Sequence, residues 1–285
     1  MKLAVADLFD RGYEQWSYAF LRGLRDKGFH SIGFYEAPLL ALGKTGRSEL
    51  KKKLGDAGLG VHSWFVACHT HIRPDDPRRA HDLDRFRESA ELAAYFGAES
   101  VGTSPGSYDE RHHWTAHPKN FQLEALELVA ASLRQIVPFF EERNVKLGLE
   151  FGVPTAVDTI DKALWLVKTV GSAQFGVYAD PANHSQGYER IFRSGEIMQR
   201  FFALLGDHVL CAHARDAWLE PGLDMHIRTG GPGDGILDFH TFLGCVRDRD
   251  PAMSLLIEHA PQERIDNYVQ YLRAVCAEIG LEIEP

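Results

Sequence analysis

Eight short apolar runs, each followed by a longer amphipathic stretch, set what this chain can become. The apolar runs fall at residues 2–7, 31–36, 61–67, 100–104, 145–151, 175–180, 208–214 and 253–258. They are rich in Val, Leu, Ile, Phe and Ala and often continue without polar alternation, the pattern of parallel strands covered on both faces. Helical periodicity occupies 14–27, 47–57, 83–96, 120–143, 157–170, 188–205, 239–248 and 263–279. Glycine directly follows six of these stretches, where it relieves the left-handed conformation of a helix end. Pro138 is expected to kink or restart the fourth helix, and Asp158 to cap the fifth. Eight strands alternating with eight helices in 285 residues predict an α/β fold, the (β/α)8 TIM barrel. No linker or shift in composition divides the chain, so a single domain over 1–285 is expected. An open doubly wound sheet is the structural alternative. It wants a Gly-rich phosphate loop after the first strand, and the sequence from Asp7 to Gly12 has no G-x-G-x-x-G.

Charge and cysteine narrow the partners. Lys and Arg number 31 against 40 Asp and Glu, a formal charge of −9, the wrong sign for extended nucleic-acid binding. Cys68, Cys211, Cys245 and Cys276 lie far apart with no C-x-x-C pair, which reads as four reduced thiols in a cytoplasmic protein. The apolar run before Asp7 is too short for a signal peptide, and no stretch approaches the length of a membrane span. The expected partner is a small molecule, with neither nucleic acid nor membrane, and a homo-oligomer is left open.

The polar residues at the strand ends are the informative ones, because a (β/α)8 barrel collects its chemistry there. The fifth strand ends in Glu150, the sixth in Asp180 followed by Asn183 and His184, the seventh carries His213, Arg215 and Asp216, and the eighth ends in Glu258. A strand-end Asp often only caps the next helix, and a single His is often a satisfied core residue. Three acids and one histidine arriving on four consecutive strands instead share a common need for a cation, since a buried acid is costly unless paired or ligating. Glu150, Asp180, His213 and Glu258 are a mixed oxygen and nitrogen set for one divalent metal ion. It suits Mn²⁺ best, with Mg²⁺, Co²⁺ and Zn²⁺ allowed.

The segments LGLEFG around Glu150, VYADPANH around Asp180, CAHARD around His213, GGPGDGILDF at Gly230–Phe239 and LLIEHA around Glu258 resemble the xylose-isomerase-like TIM-barrel superfamily over nearly the whole chain. That superfamily joins sugar phosphate isomerases and epimerases with the endonuclease IV type. The resemblance implies a metal held by the same four residues, with Glu150 and Glu258 also acting as the acid/base pair on either side of a substrate carbon. The reaction implied is isomerisation or epimerisation of a carbohydrate or keto substrate through an enediolate. A lyase or dehydratase is chemically adjacent, in the manner of 3-dehydroshikimate dehydratase or an enzyme cleaving 3-keto-glycosides. Many members carry H-x-K-D; here Arg215 holds the lysine's place, a planar fork instead of a point charge.

The endonuclease branch is the rival reading. His69 after the third strand and Asp224-x-His226 match its extra ligands, but Ser104 stands where that branch has a histidine, and Asn183 where it has another. With a charge of −9, DNA repair is disfavoured. His69, Asn183, His184, Arg215, Asp216, His226, Arg228, Trp114 and Glu36 are therefore expected around the substrate. Glu36 has the alternative of a helix cap, Trp114 that of an exposed polar loop and His226 that of a structural loop, and His69 is expected in a polar pocket wall. The glycine-rich stretch 230–235 offers backbone N–H groups that can cradle an anion. The stretch 217–237 is expected as a long loop that shapes the pocket.

Overall fold

The computed structural model describes residues 1–6, 9, 12–224 and 226–285; Asp7, at the end of the first predicted strand, lies outside them. β1 (Lys2–Val5) precedes α1 (Tyr18–Asp26), and β2 (Phe29–Tyr35) precedes α2 (Glu36–Ala41) and α3 (Lys44–Ala57). β3 (Gly60–Val66) leads to α4 (Arg79–Phe96), β4 (Val101–Thr103) to α5 (Leu123–Glu141), and β5 (Leu147–Leu149) to α6 (Ile160–Val170). β6 (Phe175–Ala179) is followed by the single-turn α7 (Pro181–His184) and by α8 (Ser194–Leu205). After β7 (Val209–His213) come β8 (Asp216–Glu220), β9 (His226–Gly230), α9 (Phe239–Arg249), β10 (Ser254–Ile257) and α10 (Ile265–Glu278). Eight strands form a closed barrel in the order β1-β10-β7-β6-β5-β4-β3-β2, flanked by helices, as the alternation of the sequence requires.

Three readings are corrected and one element is added. The stretch 217–237 contains the antiparallel hairpin β8–β9, with Trp218 opposite Arg228 and Glu220 opposite His226. The restart at Pro138 does not occur, since α5 runs through it to Glu141; the proline falls in the last turn, where the missing N–H removes one bond. α6 is capped by Thr159, whose side chain accepts from the N–H of Lys162, while Asp158 pairs with the Lys162 ammonium. The short α2 directly after β2 was not anticipated. Gly58, Gly97 and Gly171 do end α3, α4 and α6 with positive φ, as the sequence indicates. Among the described residues no helix is long and apolar enough to cross a membrane.

Two compact groupings can be distinguished. One comprises Met1–His62, Ala179–Ala203 and Cys211–Pro285, the other Ser63–Tyr178 and Leu204–Leu210. In the first, β1 pairs in parallel with both β2 and β10, and Leu3, Val5, Phe29, Ile32, Leu255 and Ile257 are buried. In the second, β4 pairs with β3 and β5, α5 packs on α4 and α6, and Leu133, Ile136 and Phe140 of α5 are buried. Here two glycines make room for one ring. Tyr178 on β6 lies against Gly102 and Gly148, and its hydroxyl is 2.7 Å from Ser100 Oγ. A Cβ on Gly148 would sit 2.1 Å from that ring. Gly148→Ala is therefore expected to cost about 1–3 kcal/mol through overpacking, read as a lower urea midpoint. Gly244→Ala on α9, with nothing within 4 Å of the added carbon, is the control and should be neutral or stabilising.

Candidate metal centre

Asp180 follows β6 and caps α7. Its Oδ1 accepts the N–H groups of Ala182 at 2.8 Å and Asn183 at 3.1 Å. The bland role of a strand-end Asp is thus real, but it occupies only one oxygen. His213 ends β7, and Glu258 directly follows β10. His213 Nδ1 lies 3.0 Å from Glu258 Oε1 and 4.0 Å from Asp180 Oδ2. Asp180, His213 and Glu258 are 1%, 2% and 6% exposed, so none of these charges is dissolved in water. Burial works against the His213 imidazolium, yet the Glu258 carboxylate and then Cys211 hold its pKa well above the usual value. Burial likewise opposes the Glu258 carboxylate, and His213 holds it well below the usual range.

Glu150 follows β5, is 9% exposed, and donates its backbone N–H to the Thr103 carbonyl at 2.9 Å. Glu150, Asp180, His213 and Glu258 each offer one ligand atom, and these atoms lie within 4.8 Å of one another. This is the one such group of His, Cys, Asp and Glu among the described residues. Three buried carboxylates against one imidazole leave an excess of negative charge, and the donor set is three oxygens and one nitrogen. A hard divalent cation fits both facts.

Arg215 and Asn183 adjoin Asp180. Arg215 Nη1 donates to Asp180 Oδ2 at 2.9 Å and to Asn183 Oδ1 at 3.2 Å. His184 is 2% exposed and its ring packs on Phe201 with centroids 5.0 Å apart. Asp216 is buried at the base of the hairpin. Its carboxylate accepts backbone N–H groups from Ala217 at 2.7 Å, Gly233 at 3.1 Å, Gly235 at 2.9 Å and Leu237 at 3.0 Å. The glycine-rich cradle thus holds a carboxylate from its own chain, and Asp216 anchors the loop. A Cβ on Gly235 would lie 2.2 Å from the Ala217 carbonyl oxygen, which is why glycine stands there. His226 and Arg228 are exposed on β9, with Arg228 Nε bound to Glu220 at 3.0 Å, so both belong to the solvent side of the hairpin.

The remaining expected residues sit at other strand ends. Glu36 is buried as the first residue of α2, directly after β2. His69, half-buried beyond β3, meets His113 edge-on with centroids 5.6 Å apart. His113 Nδ1 is 2.7 Å from Oγ of Ser104, the residue after β4. Trp114, half-buried, is next to His113 and also approaches it edge-on. His113 was not among the expected residues, although the His112-His113-Trp114 run after the fourth strand was its signal.

Buried imidazoles give stability an acid limb. His71 lies 2.7 Å from Ser132 Oγ and 3.1 Å from Thr103 Oγ1, and burial pushes its pKa down to about 3. Burial pushes His113 and His184 down to about 4. In the unfolded chain each binds a proton near its usual pKa of about 6.5. The unfolded state therefore gains protons first, and stability is lost as pH falls from about 6.5 toward 4, by about 1.4 kcal/mol per pH unit per group. Urea midpoints should drop steeply across that window, and His71→Asn should flatten the slope by about one proton. An unchanged slope would contradict the assignment.

Residues 21–275 match the family described as xylose isomerase-like TIM barrel. No curated protein matches the sequence. A xylose isomerase domain protein from Planctomyces limnophilus is 14% identical with a TM-score of 0.73, covering 98% of this chain and 97% of its own. A xylose isomerase-like TIM barrel protein from Mycobacterium smegmatis, solved with magnesium, is 16% identical with a TM-score of 0.72, covering 98% and 97%. A D-psicose 3-epimerase solved in the presence of D-fructose is 14% identical with a TM-score of 0.71, covering 98% and 99%. At such identities these likenesses establish the fold alone.

Proposed function

The chain belongs to the xylose isomerase-like TIM-barrel family, and from that membership we propose that it is a divalent-metal-dependent isomerase or epimerase of a sugar or sugar derivative. The observation that carries the reading is the gathering of Glu150, Asp180, His213 and Glu258, with ligand atoms within 4.8 Å of one another. Mn²⁺ is the ion assigned from the donor set, with Mg²⁺, Co²⁺ and Zn²⁺ as alternates. The magnesium held by the Mycobacterium smegmatis protein and the epimerase activity in the name of the D-psicose enzyme support the reading.

When bound, the cation supplies a Lewis acid that stabilises negative charge developing on a substrate carbonyl oxygen, by several kcal/mol. The chain's own residues do the rest. Glu258 takes the proton from the carbon beside the carbonyl. Glu150 returns a proton to the other face of that carbon, giving the epimer, or to the neighbouring carbon, giving aldose–ketose exchange. Asp180 and His213 serve as ligands without proton transfer. Positioned acid–base groups contribute about 10²–10⁴-fold.

The experiment is product NMR after incubation with ketoses, keto-acids and 3-keto-glycosides, with MnCl₂ and with EDTA. The expected result is an epimer or an aldose–ketose isomer that forms only with metal. An elimination product from the same panel would move the assignment to a lyase. Metal-dependent incision of abasic-site DNA that requires His69 would overturn it.

A further inference from the structure

Arg215 lies between His213, the last residue of β7, and Asp216, the first of β8, so its position and the base of the hairpin are one piece of chain. Its guanidinium links three elements. Nη1 holds Asp180 Oδ2 at 2.9 Å and Asn183 Oδ1 at 3.2 Å, and Nη2 reaches Thr229 Oγ1 on β9 at 3.4 Å. Only a planar fork joins these groups; the point charge of a lysine does not. Asp180 Oδ1 is already occupied by the N–H groups of Ala182 and Asn183. Oδ2 is therefore the oxygen left for a cation, it is the oxygen nearer His213 at 4.0 Å, and it is the one Arg215 holds. The Arg215 side chain is 14% exposed, so water screens its charge weakly. Two cations on one weakly screened carboxylate oxygen repel each other.

We infer that Arg215 is a positioning residue that holds Asp180 in place of the metal, and that metal entry displaces it and frees the β8–β9 hairpin from its tie to Thr229. The inference rests on the metal reading above. Metal affinity and hairpin mobility are then two faces of one equilibrium, and the coupling is reciprocal. A hairpin of two strands holds itself weakly, so loss of one tie is measurable. The device orders events: the hairpin loosens when the ion arrives, and the freed guanidinium becomes available to an oxygen-rich substrate.

The test uses Mn²⁺ titration calorimetry and hydrogen exchange across residues 216–230, on the wild type, Arg215→Met, Arg215→Lys and Thr229→Val. Arg215→Met should bind Mn²⁺ about tenfold or more tightly than wild type, within the usual range of coupling between sites. Exchange in the wild-type hairpin should rise about threefold or more on saturation with Mn²⁺, as expected for a coupling of this kind. In metal-free Arg215→Met it should already be fast and no longer respond. Should that variant fail to fold, Arg215→Lys carries the same exchange prediction. Thr229→Val keeps the guanidinium on Asp180, so it should speed hairpin exchange without metal and leave Mn²⁺ affinity within about threefold of wild type. Equal or weaker Mn²⁺ binding by folded Arg215→Met, or a wild-type hairpin indifferent to Mn²⁺, overturns the inference while leaving the metal reading intact. A wild type that binds no Mn²⁺ overturns both.

Discussion

His213→Ala is expected to lower divalent-metal affinity at least about 100-fold, since even the hydrogen-bond partners of metal ligands are worth about 10–100-fold. His213 is the sole nitrogen donor among the four ligands, and it is 3.0 Å from Glu258 Oε1. Its removal deletes a ligand and leaves two buried carboxylates without the imidazole that neighbours them. After dialysis, elemental analysis should find about one ion per chain in the wild type and under a tenth of that in the variant. His213→Asn keeps a polar atom in the cavity and separates metal loss from a folding defect. His240→Ala serves as control, because His240 is exposed and bound to Glu278 on the surface. Unchanged metal content in His213→Ala would remove the basis of the site.

The second large effect concerns proton transfer. Glutamine keeps the length and the carbonyl oxygen of glutamate but takes no proton at neutral pH. Glu150→Gln and Glu258→Gln should each lower kcat by about 10³-fold or more, given the usual weight of a positioned acid or base. Part of the metal and substrate binding should survive in both. The two should differ in exchange. Glu258→Gln loses deuterium uptake from solvent at its face of the substrate, whereas Glu150→Gln keeps uptake there without net conversion. Asp180→Asn should lose metal and turnover together, as expected of a ligand that moves no proton. Normal turnover in both glutamine variants would sink the two-glutamate mechanism.

The barrel was legible because buried parallel strands carry their signature locally. VKLGLEF and MSLLIEH are apolar runs interrupted only at their ends, and those ends are where Glu150 and Glu258 stand. The four ligand candidates followed from the cost of burying an acid, a cost every sequence shares. What surrounds them was not legible, because it depends on contacts distant in sequence. The N–H groups of Gly233, Gly235 and Leu237 that Asp216 accepts lie 17–21 residues further along the chain. The contact of the His184 ring with Phe201 likewise joins residues on different elements. The hairpin hid because Trp218–Glu220 and His226–Thr229 carry mixed polarity and enclose a turn longer than the usual two residues. The hold of Arg215 on Asp180 is not legible from H-x-R-D alone, since one of its partners, Thr229, comes from the other strand of that hairpin.

The central claim, a metal-dependent proton transfer at carbon, is tested most directly by substrate turned over in D₂O with Mn²⁺ and followed by NMR. The account predicts deuterium at the carbon beside the carbonyl, at a rate that keeps pace with conversion, and no exchange with EDTA or with Glu258→Gln. Conversion in which the substrate hydrogen migrates with no solvent deuterium, even under partial-exchange analysis that exposes fast shielded return, would contradict it and leave a hydride shift between adjacent carbons as the mechanism.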